Sequence, residues 1–382
     1  MPAPLTLFAA CQPGLEPLLA QELRALGAEP EPLAGGVAFA GDVKLASKGC
    51  LWLGTASHVM LRLAEFPCRA LGELQRKAAQ LPWADWLRAE VPLQVRATAR
   101  GSRVFHTGAI EERAGNAIGE ALGAAPRAAT ATDADVARVQ VRFHADVCTI
   151  SLDLTSTPLH RRGYRLEGAK APLREDLAHA LVLASQWTPD QALLDPFCGS
   201  GTIAIEAAGL GLGLAPGRLR PPAMHHLAMF DANAWLELAH AGSNPNEAPL
   251  QIAASDRDAG AIEAARHNAE RAGVANAITF TCGAVTAHAW LQPGAAPATG
   301  VLATNPPFGV RVPKANNLLA LYQTLGHRTA RLGPGWRAAV LAHDVRLARR
   351  TGLPLRAAFT TKHGGLLVTA LVGGTVAQAV PR

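Results

Sequence analysis

Leu15, Leu18, Leu19, Leu23 and Leu26 recur at helical spacing in GLEPLLAQELRALGA, and Gly27 supplies a stop. Ahead of that helix LTLFAAC reads as a short apolar strand, and behind it GGVAFAG alternates like a strand between glycines. The long apolar run CLWLGTASHVMLRLAEF predicts a second helix. PLQVRATAR and VQVRFHADVCTISLDL predict strands, with a helix over AIEERAGNAIGEALGAA between them. This mixture fills about 155 residues and predicts one or two small α+β modules.

The pattern changes after residues 156–172, STPLHRRGYRLEGAKAP, a charged stretch rich in turn residues. Beyond it strands alternate with helices, as in a doubly wound parallel sheet. ALLD predicts a strand and TIAIEAAGLG the helix after it. LQIAASD and AGAIEAARHNAERAG repeat the pair, and AITFTCG, VLATNPP and WRAAVLAHD add strands. LRAAFTTKHGGLLVTALV predicts a hairpin about Gly364 and Gly365 at the sheet edge. Residues 210–250, rich in Pro, Gly and His, form an insertion with no legible role.

Composition adds a class. At 382 residues, 49% hydrophobic and 17% charged, the chain is folded, and it is too long for one ordinary core. The net charge of +6 leans toward a polyanionic partner. The distribution says more: from Arg311 to Lys362 there are ten Lys or Arg and one acid, Asp344. HRRGYR at 160–165 sets cations beside an aromatic ring, which suits a nucleic-acid backbone and its bases. The six cysteines have no CxxC pair and no metal spacing, so reduced thiols are expected and no metal site. No charged-then-apolar signal opens the chain and no apolar run reaches 18 residues. A cytoplasmic protein without a membrane partner is expected.

Three motifs carry chemistry. In LLDPFCGSGTIAIEAA a buried strand ends at Asp195 and a glycine turn opens a helix. Such a turn offers free N–H groups to a phosphate or carboxylate, and Gly199-x-Gly201-x-x-Ala204 also suits a dinucleotide loop. In IAASDRD, Asp256 ends the next strand with Asp258 beside it. It either accepts from ribose hydroxyls or caps the following helix. It lies 55 residues beyond Gly201, too far for a plain dinucleotide fingerprint. The third motif, VLATNPPFGVR, runs a strand into two prolines that cannot join a ladder. This is a turn, or a rigid rim where the Asn305 side-chain oxygen and the Pro306 carbonyl hold the two hydrogens of an exocyclic amine. Phe308 can then stack on the base.

DPFCGSG followed by NPPFG resembles class I S-adenosylmethionine-dependent methyltransferases acting on exocyclic amines. With APLREDLAHAL upstream and GWRAAVL downstream, the chain is similar to THUMP-containing RNA methyltransferases, and to the RlmL-like guanine-N2 enzymes of large-subunit ribosomal RNA in particular. The resemblance runs from LFAACQPGLEPLLAQEL to the terminal hairpin and covers one methyltransferase module. It implies a ferredoxin-like segment at 1–60, a THUMP domain at 61–157 and a Rossmann-like α/β catalytic domain at 158–382. Asp195, Gly199 and Gly201 would shape the methionine pocket and Asp256 would hold the ribose. Pro196, Phe197, Ser200, Arg257 and Asn305 would join them around the cofactor. Asn305, Pro306, Pro307 and Phe308 would hold the target base. Residues 172–182 would form a helix packed beside the cofactor. One position departs: the family's acid after the third strand, which meets adenine, is Ala284 here, with Thr286 or the backbone as substitutes. Ribosomal RNA is the preferred substrate, with tRNA guanine as alternative. DNA or protein amine methylation, a non-catalytic RNA-binding module and a nicotinamide oxidoreductase are the weaker readings.

Overall fold

A computed structural model of the chain describes residues 4–124, 127–130, 133, 135–155, 157–165, 172–247, 249–292, 294–308 and 315–373. The first half contains β1 (Leu5–Cys11), α1 (Glu16–Ala25), β2 (Glu31–Leu33), β3 (Gly36–Gly41), α2 (Val43–Trp52) and β4 (Ala56–Pro67). It continues through α3 (Leu71–Ala79), β5 (Leu93–Arg100), α4 (Thr107–Leu122), β6 (Ala137–His144) and β7 (Val147–Asp153). All seven strands form one sheet in the order β2-β3-β1-β4-β7-β6-β5, and only β5–β6 is parallel. The expected division at 60/61 falls inside β4, which pairs with β1 on one side and β7 on the other.

Here one expectation needs correction. CLWLGTASHVMLRLAEF is not a helix: α2 stops at Trp52 and β4 takes the remainder. The Glu22 carboxylate of α1 accepts from the Gly54 N–H (2.6 Å) and the Thr55 N–H (3.0 Å), which fixes the break. β1 along its first half and β7 along its second then hold β4 extended, and tertiary pairing overrides local preference.

The second half contains α5 (Glu175–Ala184), β8 (Ala192–Asp195), α6 (Thr202–Gly211), α7 (Ala232–Ser243), β9 (Ile252–Asp256), α8 (Ala259–Arg271) and β10 (Ile278–Cys282). β11 (Gly300–Thr304), α9 (Ala315–Ala330), β12 (Trp336–Ala342), α10 (Val345–Arg349), β13 (Leu355–His363) and β14 (Leu366–Gly373) complete it. The sheet order is β10-β9-β8-β11-β12-β14-β13, parallel up to β12, with the β13–β14 hairpin antiparallel. The order reverses between β8 and β11, so a crevice opens beyond their carboxyl ends. One face packs on a core running from Leu7 to Ala370, and the other on a cluster around Leu194, Leu302, Leu325 and Trp336.

The insertion now has a role. Its Gly217 N–H donates to the Leu51 carbonyl (2.8 Å), Arg220 to the Cys50 carbonyl (2.5 Å) and the Ala228 N–H to the Trp86 carbonyl (3.0 Å). Leu227 makes an isolated antiparallel bridge with Leu87. The segment therefore clamps the catalytic half onto the N-terminal half.

Two members of HRRGYR are the second correction, while Arg161 stays exposed. Arg162 and Tyr164 are 2% and 3% exposed, so they cannot meet RNA. Arg162 donates to the Gly54 and Leu159 carbonyls (both 2.6 Å) and pairs with Glu206 of α6 (3.3 Å). The Tyr164 hydroxyl donates to Glu206 at 3.2 Å. His179 of α5 stands between Glu206 (3.0 Å) and Glu22 (3.4 Å). Burial alone would push His179 down, but its bonds to the two carboxylates outweigh this and lift it to about 9. Both ring nitrogens then donate. Burial raises Glu206, yet Arg162 and His179 bring it down to about 2. A buried charged network thus joins the two halves. Residues 166–171 of the linker, like 309–314 with two members of the expected basic cluster, lie outside the described residues.

Candidate active site at the sheet switch point

β8 is buried throughout and delivers Asp195 to the crevice at 1% exposure. Its Oδ1 accepts from the Thr304 hydroxyl (2.6 Å) and the Phe197 N–H (3.2 Å). Oδ2 is buried with no partner among the described residues. Burial pushes the Asp195 carboxyl up to about 7; the Thr304 and Phe197 bonds oppose this and the charge of Asp256 adds to it.

Thr304 was not singled out in the sequence. A hydroxyl at the buried end of GVLAT was the only signal, since its partner lies 109 residues away. It ties the first motif to the third, because β8 and β11 are neighbours and Asn305 follows it directly.

The glycine loop is shaped as a cradle. Gly199 and Gly201 have φ of +52° and +84°, in the left-handed region that disfavours side chains. A Cβ on Gly199 meets nothing within 4 Å, so the backbone faces open space there. A Cβ on Gly201 would meet Ala265 of α8 at 3.0 Å, so this glycine serves helix packing. The Ser200 carbonyl is held by Asn268 (3.0 Å), Pro196 is buried, and Phe197 packs against the second core cluster.

Asp256 reaches the same loop. Its Oδ2 accepts from the Gly199 N–H and its Oδ1 from the Asp258 N–H, both at 3.0 Å. Each oxygen keeps a second lone pair for a ligand hydroxyl. The capping role falls to Asp258, whose side chain accepts from Gly260 and Ala261. Arg257 is exposed beside them. The Gly283 N–H donates to the Asp256 carbonyl (2.8 Å), bringing the end of β10 and exposed Ala284 alongside. The Thr286 carbonyl is taken by Gln292 (2.8 Å).

On the other side Asn305 and Pro307 are half-buried and Pro306 is buried. The Asn305 amide makes no hydrogen bond among the described residues. Phe308 lies 5.7 Å from the His343 ring, tilted 51°. The two rings line a cleft of about 580 Å³ with Leu318, Asp344 and Arg346. His343, whose Nδ1 bonds the Leu367 carbonyl (2.7 Å), had no signal in the sequence. Of the basic cluster, Arg346, Arg349, Arg350, Arg356 and Lys362 are exposed, whereas Arg337 is bound to Gln186 and Gln191.

A doubly wound sheet with a glycine cradle after its first strand, an acid after its second and Asn-Pro-Pro-Phe after its fourth defines a class I methyltransferase. The chain belongs to the RMKL-like methyltransferase family, whose domain model matches residues 162–366, preceded by an RlmL ferredoxin-like domain at 6–60 and a THUMP domain at 68–153. A relative in Syntrophotalea carbinolica, named ribosomal RNA large subunit methyltransferase K/L, is 36% identical over 96% of this chain and 53% of its own length. The chain spans about half the length of such K/L relatives. A Synechocystis protein provisionally named as an RNA methyltransferase is 34% identical over 95% of both chains. The crystal structure of SMU.472, provisionally described as a methyltransferase and complexed with SAH, superposes with a TM-score of 0.87. It is 26% identical and covers 98% of this chain and 99% of its own. Among the described residues no helix is long and apolar enough to cross a membrane.

Proposed function

We propose that the protein transfers a methyl group from S-adenosylmethionine to the exocyclic N2 amine of a guanosine in large-subunit ribosomal RNA. The observation that carries this reading is the Asp195–Thr304 bond, which sets the cofactor cradle and the Asn305 amide, unbonded among the described residues, against each other across one crevice. The residues present fit the cofactor. The unpartnered Asp195 Oδ2 suits its ammonium group, the open Gly199 backbone its carboxylate, and the free lone pairs of Asp256 its ribose. SAH in the SMU.472 structure and the large-subunit RNA in the K/L name support the same pairing of donor and acceptor. Six unpaired thiols suit the reducing cytoplasm where ribosomes are made.

Bound, the cofactor supplies an electrophilic methyl carbon on a sulfonium, so no base strong enough to ionise the amine is required. The chain's part is placement. The target guanine leaves its stack, and Phe308 holds its ring. The Asn305 side-chain oxygen and the Pro306 carbonyl accept the two amine hydrogens, which turns the nitrogen lone pair toward the methyl. The surplus proton leaves to water through these acceptors.

Mass spectrometry of rRNA and tRNA nucleosides with and without the gene tests the reading. N2-methylguanosine should be missing from one large-subunit position; its loss from tRNA instead would move the assignment to tRNA.

Two variants test the cradle. Asp256→Ala should weaken SAH binding on the order of 100-fold in calorimetry, since it loses charge-assisted bonds to both ribose hydroxyls and to Gly199. Thr304→Val removes the bond that holds the Asp195 carboxyl down, so protonation extends to higher pH. SAH affinity at pH 7 should fall roughly tenfold and recover by pH 9, while Thr304→Ser stays near wild type. Equal affinities at pH 7 and 9 in the valine variant would exclude this role.

A further inference from the structure

β11 and β12 run parallel with Thr304 beside Val340, so the chain leaves both strands at the same rim of the sheet. Asn305 is the first residue beyond β11, and His343 the first beyond β12. His343 is exposed, and its Nδ1 lies 2.7 Å from the Leu367 carbonyl oxygen of β14. A carbonyl can only accept, so Nδ1 carries the hydrogen. In the neutral ring the other nitrogen, Nε2, is then left as a lone pair. Among the described residues Nε2 makes no hydrogen bond.

Phe308 lies against this ring, with centroids 5.7 Å apart and planes inclined at 51°. Both line the cleft of about 580 Å³, a volume within the range of small-molecule sites. A base laid flat on Phe308 is therefore met by the imidazole at an angle, through the ring's edge rather than its face. Asp344 is the one carboxylate among the described residues that line the cleft, and it is engaged in capping α10. Its Oδ1 accepts from the Arg346 N–H (2.8 Å) and the Leu347 N–H (3.2 Å). His343 Nε2 is thus an acceptor at the cleft wall, with its direction fixed by the anchored Nδ1.

We infer that His343 determines which base is methylated: its Nε2 accepts the N1–H of the target guanine and turns away bases whose amine sits beside a bare ring nitrogen. Asn305 and Pro306 offer two acceptors, which hold any exocyclic amine. Alone they cannot tell guanine N2 from adenine N6 or cytosine N4. The difference lies one atom further along the base, on the edge away from the sugar. There guanine N1 bears a hydrogen, whereas adenine N1 and cytosine N3 are lone pairs. Against Nε2 the first makes a hydrogen bond, and the others set two lone pairs facing each other. The sugar side of the base leads back into the RNA chain, so the N1 side is the one turned to the protein. The inference rests on the reading of the protein as a guanine-N2 methyltransferase and names the group that chooses the base.

The test uses the full chain and a synthetic fragment of large-subunit RNA with guanosine or 2-aminopurine riboside at the position mapped by nucleoside mass spectrometry. 2-Aminopurine keeps the N2 amine but presents N1 as a lone pair. Two substitutions separate the ring's two nitrogens. In His343→Asn the side-chain amide reaches where Nδ1 stood, so it keeps the Leu367 bond and offers nothing at Nε2. In His343→Gln the longer side chain sets an acceptor oxygen where Nε2 stood and gives up the anchor. For guanosine, kcat/KM should fall about tenfold in the Asn variant and stay within about threefold of wild type in the Gln variant. For 2-aminopurine it should not fall in either, so the preference for guanosine shrinks in the Asn variant alone. SAH affinity, measured by calorimetry, should match wild type in both. The reverse order, Asn as wild type and Gln impaired on guanosine, would make His343 a prop for the hairpin and overturn the inference. An undiminished preference for guanosine in the Asn variant would overturn it too, and both results leave the methyltransferase reading intact. If the wild type methylates no guanosine, that reading and the inference fall together.

Discussion

Asn305→Ala lowers methyl transfer about 100- to 1000-fold while RNA affinity stays within about twofold of wild type. The expected split follows from what Asn305 does not do. It stands half-buried just past the buried β11 strand, and truncating its amide removes no hydrogen bond among the described residues. On the proposed function the RNA is gripped elsewhere, by exposed cations such as Arg346, Arg349 and Arg350. What is lost is one of two fixed acceptors that turn the amine lone pair toward the methyl. The remaining Pro306 carbonyl leaves the amine free to rotate, and a misaligned nucleophile costs rate much more than affinity. Single-turnover methylation and filter binding on the same RNA separate the two effects. Parallel loss of binding and turnover would make Asn305 a structural residue.

The largest stability effect is expected for Glu206→Gln. Glu206 is 5% exposed and serves Arg162, Tyr164 and His179 together. Glutamine keeps the shape and removes the charge, leaving a buried guanidinium and a buried imidazolium without their shared partner. Breaking such a pair costs about 3–5 kcal/mol, which lowers the melting temperature on the order of 10 °C. The wild type should also carry a pH signature. His179 is raised to about 9, so its contribution is complete below its ordinary 6.5 and is lost as pH climbs through 9. Glu206 is lowered to about 2, so its contribution is complete above the ordinary 4.5 and is lost only as pH falls through 2. Thermal unfolding from pH 5.5 to 9.5 should show the wild type weakening above 6.5 and the variant nearly flat. A variant melting within 2 °C of wild type at pH 6 would show that the network holds nothing together.

The motifs of the crevice were legible because each needs particular residues at particular offsets within one segment: glycines where φ is positive, an acid at a strand end, prolines that stop a strand. Thr304 and His343 were not, since their roles arise only once β8 meets β11 and Phe308 meets the end of β12. HRRGYR was misread for a related reason. Arginine and tyrosine look alike in sequence whether they face RNA or a buried glutamate, and Glu206 lies about 40 residues downstream. The 50–66 run was ambiguous between helix and strand because its apolar residues are too continuous to show a period, and its neighbours decided the outcome. The insertion stayed opaque since its partners, Cys50, Leu51 and Trp86, precede it by more than 130 residues.

β4 is a single twelve-residue strand that bridges the end of the ferredoxin-like match at residue 60 and the start of the THUMP match at 68, and the Glu22–His179–Glu206 chain bolts α1 beside it to α6. α6 opens at the glycine cradle and is about 15 Å long. If the first half anchors the RNA, anchor and crevice are then the two ends of a gauge of fixed length, and the expected selection is by distance from the anchor more than by the letters around the target. Lengthening the RNA by one nucleotide between anchor and target should move the methyl group to whichever guanosine then falls at the mark.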